Sequence, residues 1–216
     1  MNDIRGVLFD ADGTLIDTYD IILTSMRYAV NDVLGCSLDD AELMAGVGTP
    51  LYDQMLHFTG GDEARATEIT QIYRDHNDGV HDARIRAFGD TKAALERFQA
   101  AGIPMGVVTS KRHAMAQRGL EMSGIAGYFQ FLIGHDDWPE HKPAPGPILR
   151  GCELLGTAPE RSLYVGDSPF DIQAGNAAGC ATAAALWGMF PREALAAERP
   201  TFMCDSLTEL ADWLGI

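Results

Sequence analysis

The segment Gly6–Thr14, with the sequence GVLFDADGT, is the clearest indicator of the fold of this chain. Its first four residues are apolar or small and show no polar alternation, which is typical of a short strand buried on both faces of a parallel sheet. Asp10, Asp12, Gly13 and Thr14 follow at once, where such a strand would end. In open parallel sheets, ligands bind at the carboxyl ends of the strands, so this stretch predicts a polar site there.

Further apolar runs of the same character follow along the chain, and helical patterns lie between them. The runs cover residues 103–108, 131–133, 163–165 and 181–186, and the helical patterns cover residues 111–123, 147–155, 171–178 and 206–214. Strands that alternate with helices predict an α/β fold with a doubly wound, Rossmann-like parallel sheet.

Residues 16–90 break this alternation, because they contain helical patterns and no good strand candidate. Thr18, Ser37 and Thr49 can each cap the first turn of a helix, and Gly60-Gly61 precedes a fourth helical pattern. A connection of this length is rarely a loop in a compact domain. We therefore predict a helical cap domain at residues 16–90, inserted into a core domain that consists of residues 1–15 and 91–216.

The composition restricts the classes of partner. Of the 216 residues, 46% are hydrophobic, which is enough for a large core, and the formal net charge is −15. Such an acidic surface repels nucleic acid and anionic membranes, so neither is an expected partner. The chain shows no secretory pattern and no apolar stretch of ~20 residues, and its four cysteines form no C-x-x-C pair. These features predict a cytoplasmic protein, and none of them indicates an oligomeric state.

Candidate site residues stand just after the later apolar runs, where they would meet Asp10 and Asp12 at one edge of the sheet. They are Thr109, Ser110, Lys142, Asp167 and Asp171. Clustered carboxylates need a cation, and a set of oxygen ligands suits Mg²⁺ that also contacts a phosphate. One carboxylate could then attack phosphorus, a second could transfer protons, and a hydroxyl and a lysine could hold the phosphoryl oxygens. The sequence thus predicts a magnesium-dependent enzyme for a small anionic phosphorylated substrate.

The order of these motifs resembles the haloacid dehalogenase (HAD) superfamily of phosphohydrolases, in the group with a helical cap after the first motif. The motifs are Asp10-x-Asp12-Gly13-Thr14, Thr109, Lys142 and Gly166-Asp167-x-x-x-Asp171. The resemblance implies that Asp10, Asp167 and the backbone carbonyl of Asp12 ligate Mg²⁺. Asp171 would bind the ion through water or support its ligands.

The same resemblance implies the catalytic roles. Asp10 would be the nucleophile, and Asp12 would be the general acid and then the general base. Thr109 and Lys142 would hold the phosphate, with Ser110 as a second candidate for the phosphate-binding hydroxyl. His141 lies beside Lys142 and is the histidine expected to reach the substrate.

Two groups within the superfamily resemble this chain. Residues 171–175 and 185–188 resemble phosphoglycolate phosphatases, whereas residues 73–77, 81–82 and 136–143 resemble HAD-type inorganic pyrophosphatases. A phosphoglycolate-type phosphomonoester is the preferred substrate and pyrophosphate is the alternative. Both need cationic help, and the candidates are Arg27, Arg74, Arg84, Arg86 and Lys111. Tyr52 stands where many relatives carry a basic residue, and the loop at residues 46–50 is expected to face the crevice.

Two other classes of protein share parts of this pattern. A phosphosugar mutase of the same superfamily would use the same core but return the phosphoryl group to the sugar. A signalling receiver domain also combines acids, a hydroxyl and a lysine on a doubly wound sheet. Receivers place the acidic pair first and the phosphate acceptor on a later strand, and they lack a large helical insert, so the pattern favours an enzyme.

Overall fold

A computed structural model describes residues 3–216 and shows one six-stranded sheet in which all neighbouring strands are parallel. In chain order the strands are β1 (Gly6–Phe9), β2 (Ile16–Asp17), β3 (Arg86–Ala87), β4 (Met105–Val108), β5 (Leu132–Ile133), β6 (Ser162–Gly166), β7 (Ala181–Ala185) and β8 (Phe202–Cys204). The order across the large sheet is β5-β4-β1-β6-β7-β8, and β2 and β3 form a separate antiparallel pair.

Ten α-helices connect these strands in the part of the chain that is described. They are α1 (Tyr19–Met26), α2 (Asp40–Met44), α3 (Leu51–Phe58), α4 (Glu63–Arg84), α5 (Thr91–Ala100), α6 (His113–Met122), α7 (Gly146–Leu155), α8 (Pro169–Ala177), α9 (Arg192–Ala197) and α10 (Leu207–Leu214). A π-helix (Arg27–Val33) continues α1, and two short 3₁₀ helices cover Ala126–Tyr128 and Pro159–Arg161. No helix among residues 3–216 combines the length and the apolar character that a membrane crossing requires.

The strand β1 is buried on both faces, as its sequence predicts. Val7 and Phe9 pack on one face against residues of α5, α6 and α10, whereas Leu8 packs on the other face against α7 and α8. Alternate residues of a strand point to opposite faces, so a continuous apolar run is what two helical layers require. This arrangement confirms the predicted doubly wound α/β fold.

The position of β1 within the sheet determines where a ligand can bind. Its neighbours are β4 on one side and β6 on the other, and the register pairs Leu8 with Gly106 and with Tyr164. The chain proceeds from β1 to β4 and β5 and then returns to the opposite side of β1. The loops after β1, β4 and β6 therefore diverge at a topological switch point, where α/β sheets leave a crevice.

The segment between β1 and β4 contains the helices α1–α4, which share an apolar cluster of their own. Ile22, Met26, Leu43, Met55 and Ile69 are buried in this cluster. Among the described residues outside the segment, Met189 is the apolar side chain that packs against it. The helical insert thus has a separate core, while the domain boundaries at residues 15/16 and 90/91 stay a prediction.

Both ends of this segment differ from the sequence prediction, which placed no strand between residues 16 and 90. Ile16 and Asp17 pair with Ala87 and Arg86 to form the short antiparallel ribbon of β2 and β3. Two residues are too few to show an alternation of apolar and polar side chains, so the sequence pattern does not predict these strands. The ribbon joins the point where the chain leaves the sheet to the point where it returns.

Two of the predicted helix caps in the insert are wrong. Ser37 does not cap α2; Asp39 does, in a capping box in which Asp39 and Glu42 each accept a hydrogen bond from the other's backbone N–H at 2.8 Å. Pro50, not Thr49, is the N-cap residue of α3. Thr18 does occupy the N-cap position of α1, but its side chain makes no capping hydrogen bond. The strand β8 and the helices α5 and α9 are further elements that the prediction omitted.

Candidate active site

The loops after β1, β4 and β6 meet at a cleft of about 120 Å³ between the sheet edge and the helical insert. The core contributes Asp10, Asp12, Thr109, Ser110, Asp167 and neighbouring residues to its lining, and the insert contributes Val47, Gly48, Thr49, Tyr52, Tyr73 and Arg74 among others. The expectation that the loop at residues 46–50 faces the crevice agrees with this lining.

Asp10 lines the cleft, yet only 5% of its surface is exposed. Its Oδ1 lies 3.1 Å from Lys142 Nζ, close enough for an ion pair, but the angle between the two groups does not suit a hydrogen bond. This oxygen therefore has no hydrogen-bond partner among the described residues. Burial raises the pKa of Asp10 to about 6, although Lys142 acts in the opposite direction. The cleft therefore contains a buried carboxylate with an oxygen that no hydrogen bond satisfies.

Lys142 contacts Asp10 and does not line this cleft, but it lines a smaller pocket together with Thr109. Its Nζ donates a hydrogen bond to Asp171 Oδ1 at 2.5 Å, and Tyr164 OH donates to the same oxygen at 3.2 Å. The other oxygen of Asp171 accepts bonds from the backbone and the hydroxyl of Ser168, at 3.0 and 2.6 Å. Burial alone would lower the pKa of Lys142, but the two carboxylates outweigh it and raise that pKa above its ordinary value.

Asp167 is held by two donors. Thr14 Oγ1 donates to Asp167 Oδ1 at 3.2 Å, and the backbone N–H of Met189 donates to Oδ2 at 2.7 Å. Burial, and then the neighbouring acids, raise the pKa of Asp167 well above its usual range. A Cβ atom on Gly13, which has a φ of 77°, would lie 2.2 Å from Asp167 Oδ2, so a side chain at Gly13 would displace this carboxylate.

The buried carboxylates of Asp10, Asp167 and Asp171 fit a divalent cation. Each offers an oxygen within 4.8 Å of the others, and all the donors are oxygens, as Mg²⁺ prefers. The three buried carboxylates have one ammonium, that of Lys142, in ion-pair contact with Asp10 and Asp171, so a divalent cation would compensate the remaining negative charge. Asp171 is already hydrogen bonded at both oxygens, which favours a supporting role over direct ligation.

Asp12 and the residues after β4 lie at the wall of the cleft. Lys111 Nζ donates to Asp12 Oδ1 at 2.9 Å. Thr109 is buried and its hydroxyl accepts from the backbone N–H of Lys111 at 3.3 Å, so its own proton is available to a ligand. Ser110 instead donates to the backbone oxygen of Gly48 at 2.7 Å and so links the core to the insert. Of the two hydroxyls, Thr109 is the better placed to bind phosphate.

The structure also brings residues to the cleft to which the sequence analysis gave no role. His135 lines the cleft, whereas His141, the histidine expected there, stacks on His135 with ring centroids 4.1 Å apart and does not line it. Arg112 and Met189 line it as well. A signal existed for Arg112, because it directly follows the Thr109-Ser110-Lys111 motif, but no pattern distinguishes His135 from His141.

We expect the burial of Asp10 to give the metal-free protein a distinctive pH dependence of stability. The folded pKa of about 6 exceeds the ordinary value of 3.8, so the folded state binds more protons between these values and its stability falls as pH rises. Asp10→Asn lacks this titration. The free energy of unfolding of Asp10→Asn, relative to wild type, should therefore increase by roughly 2 kcal/mol from pH 4 to pH 7.

Urea unfolding in the presence of a chelator, followed across this pH range, measures the difference. Asp20→Asn is the matched control, because Asp20 is an exposed aspartate on α1. Its stability should run parallel to that of wild type at every pH. A constant difference between Asp10→Asn and wild type would show that the pKa of Asp10 is not raised in the folded protein.

Comparisons with known proteins agree with this geometry. The family described as Haloacid dehalogenase-like hydrolase matches residues 7–185. A Clostridium perfringens protein named "Putative pyrophosphatase PpaX" is 39% identical over 97% of this chain and 96% of its own, and the Anoxybacillus flavithermus "Pyrophosphatase PpaX" is 33% identical over 99% and 98%. The crystal structure of a "predicted phosphoglycolate phosphatase" from Haemophilus somnus superposes with a TM-score of 0.88 at 25% identity and covers 99% of both chains. The chain therefore belongs to the haloacid dehalogenase-like hydrolases.

Proposed function

We propose that this protein is a magnesium-dependent phosphatase that hydrolyses a small phosphomonoester of the phosphoglycolate type through an aspartyl-phosphate intermediate. The observation that carries the proposal is the carboxylate of Asp10, which lines the cleft with one oxygen that accepts no hydrogen bond. A buried carboxylate of this kind can act as a nucleophile once its charge is compensated.

Asp10 and Asp12 divide the chemistry between them. A carboxylate oxygen of Asp10 attacks phosphorus, and the bond between phosphorus and the leaving oxygen breaks while Asp12 donates a proton to that oxygen. Asp12 then accepts a proton from a water molecule that attacks the aspartyl phosphate, which releases phosphate and regenerates Asp10. Thr109 donates a hydrogen bond to a phosphoryl oxygen, and Lys142 stabilises Asp10 and the transferred group by its charge.

Asp10, Asp167 and the backbone carbonyl of Asp12 would hold the magnesium ion, with Asp171 in support. When bound, the ion supplies positive charge that offsets the repulsion between the carboxylates and the phosphate. The two donors to Asp167, Thr14 Oγ1 and the N–H of Met189, fix its side chain for this purpose. Tyr164 and Ser168 fix Asp171 in the same way.

Pyrophosphate is the second candidate substrate, and the names of the relatives favour it. Two proteins that match nearly the whole chain at 33% and 39% identity carry pyrophosphatase names. The same residues would serve, with the second phosphate as the leaving group. We also propose a cytoplasmic location, because all four cysteines are free thiols. Neither nucleic acid nor an anionic membrane is a proposed partner, because the net charge is −15.

A substrate panel tests the proposed function. The values of kcat/KM with Mg²⁺ are compared for phosphoglycolate, pyrophosphate and several sugar phosphates, and the products are analysed. We expect release of inorganic phosphate, with phosphoglycolate or pyrophosphate as the best substrate. An isomerised sugar phosphate without phosphate release would identify a mutase, and no turnover of any compound would contradict the proposal.

Removal of the metal provides a further test of the same proposal. A chelator should remove most of the phosphatase activity, and added Mg²⁺ should restore it, whereas Ca²⁺, with its looser coordination, should restore little. The thermal midpoint should rise with Mg²⁺ concentration, because the ion binds the folded state. Full activity in the chelator would contradict the assignment of the acidic cluster as a metal site.

A further inference from the structure

Three basic side chains lie in the cleft, and the chemistry described above uses none of them. Arg74 comes from α4 of the insert, Arg112 from the turn between β4 and α6, and His135 from the segment after β5. All three line the same cleft as Asp10 and Asp12. Arg74 and Arg112 carry a permanent positive charge, in a cleft that Asp10, Asp12, Asp78 and Asp167 also line.

Arg74 has no ionic partner within residues 3–216. Its guanidinium makes no hydrogen bond and no ion pair there, although Asp78 and Asp136 lie near enough to affect its pKa. Other cationic candidates on the insert differ from Arg74. Arg27 forms two hydrogen bonds with Asp40, Arg86 pairs with Asp17, and Arg84 is exposed at the end of α4.

Arg112 increases the positive charge around Arg74. Partial burial, and then the charge of Arg112, lower the pKa of Arg74. The single ion pair of Arg112 within the described residues is a long contact of 3.7 Å with Asp78, whose side chain is 48% exposed. Two partly buried guanidinium groups that line one cleft disfavour each other's charge, so a bound anion would stabilise both.

His135 adds an unsatisfied polar atom. Its Nδ1 is buried and has no hydrogen-bond partner among the described residues. Burial, followed by the neighbouring His141, lowers the pKa of His135, so the imidazole is neutral at pH 7 and can still donate one hydrogen bond. The three side chains together can donate several hydrogen bonds to an anion. Among the described residues, no carboxylate is in ion-pair contact with Arg74 and would compete with that anion.

We propose that Arg74, Arg112 and His135 form a second anion subsite, which binds an anionic group carried by the leaving group of the substrate. This inference rests on the proposed function, and it narrows the substrate class to phosphate compounds with a second oxyanion, either a carboxylate or a phosphoryl group.

Arg74→Gln tests the subsite with substrates that differ in the charge of the leaving group. Phosphoglycolate and pyrophosphate carry the second anion, and 2-hydroxyethyl phosphate is the neutral counterpart of phosphoglycolate. Loss of a charged hydrogen bond should lower kcat/KM by about 10- to 100-fold for the two anionic substrates and by less than about 3-fold for the neutral one. Arg84→Gln, on the same helix but exposed, should leave all three values unchanged.

Binding of phosphonates separates this inference from the proposed function. By calorimetry with Mg²⁺, 3-phosphonopropionate should bind wild type more tightly than propylphosphonate, and Arg74→Gln should abolish most of that difference. If wild type hydrolyses none of the phosphates but the phosphonate preference depends on Arg74, the proposed function fails and the subsite stands. Equal losses for charged and neutral ligands, or no loss for either, would overturn the subsite.

Discussion

Asp10→Asn is expected to lower kcat by at least about 10⁴-fold while the protein keeps its fold, because the substitution removes the nucleophile and preserves the shape of the side chain. The amide cannot attack phosphorus effectively, and it also loses the negative charge that a metal ligand supplies. The buried position of Asp10 does not require that charge for folding. Burial raises its pKa to about 6, which means that its ionised form is disfavoured in the metal-free protein.

Rapid quenching with labelled substrate distinguishes this explanation from a loss of substrate binding. Wild type should retain label on the protein after acid quench, and a peptide containing Asp10 should carry it, whereas Asp10→Asn should retain none. The exposed Asp20→Asn variant should behave as wild type in both measurements. Substantial turnover by Asp10→Asn, or label on another residue, would rule out Asp10 as the nucleophile.

The sequence was sufficient to predict the sheet and the place of the site, and the physical reason lies in β1. Four apolar residues can be buried between two helical layers, and a carboxylate immediately after them can lie only at the strand's end. The same reasoning applies to Thr109 after β4 and Asp167 after β6. The carboxyl ends of parallel strands lie at one edge of the sheet. The strand ends were therefore enough to predict that residues more than 150 positions apart meet there.

The sequence could not predict contacts between side chains whose positions do not depend on a strand end. Lys142 was predicted to hold the phosphate, and that role stays a prediction, whereas its contacts with Asp10 and Asp171 depend on the tertiary path of its loop. Ser110 was a candidate phosphate ligand, yet its hydroxyl donates to Gly48 of the insert. Arg74 could not be separated from the other arginines, because the choice depends on how α4 faces the cleft.

The buried charges of Asp10, Asp171 and Lys142 do not cancel one another. Asp10 and Asp171 are both buried, and the single ammonium of Lys142 lies between them at 3.1 and 2.5 Å. One cation between two acids leaves a net negative charge, which is the condition under which a further cation binds. Asp167 adds a third buried acid, so we expect a divalent ion to bind before the site can tolerate a phosphate.

Lys142→Met is expected to have the largest effect on stability, with a loss of about 3–5 kcal/mol in the free energy of unfolding at pH 8, because it leaves buried carboxylates without their partner. The phosphatase activity should fall by about 10²- to 10³-fold as the transferred group loses a stabilising charge. The folded pKa of Lys142 is raised, so its stabilising charge is present throughout the range below its ordinary pKa of 10.5.

If the unpaired carboxylates cause the loss of stability in Lys142→Met, that loss should depend on pH and on Mg²⁺. At pH 5, below the pKa of about 6, Asp10 is largely protonated even in wild type, so the loss caused by Lys142→Met should be smaller than at pH 8. Added Mg²⁺ should raise the stability of the variant more than that of wild type. Lys92→Met is the matched control: Lys92 is exposed on α5, and its loss should cost only about 0–1 kcal/mol. Equal losses for the two lysine variants, measured by urea unfolding, would mean that the buried charge of Lys142 does not compensate Asp10 and Asp171.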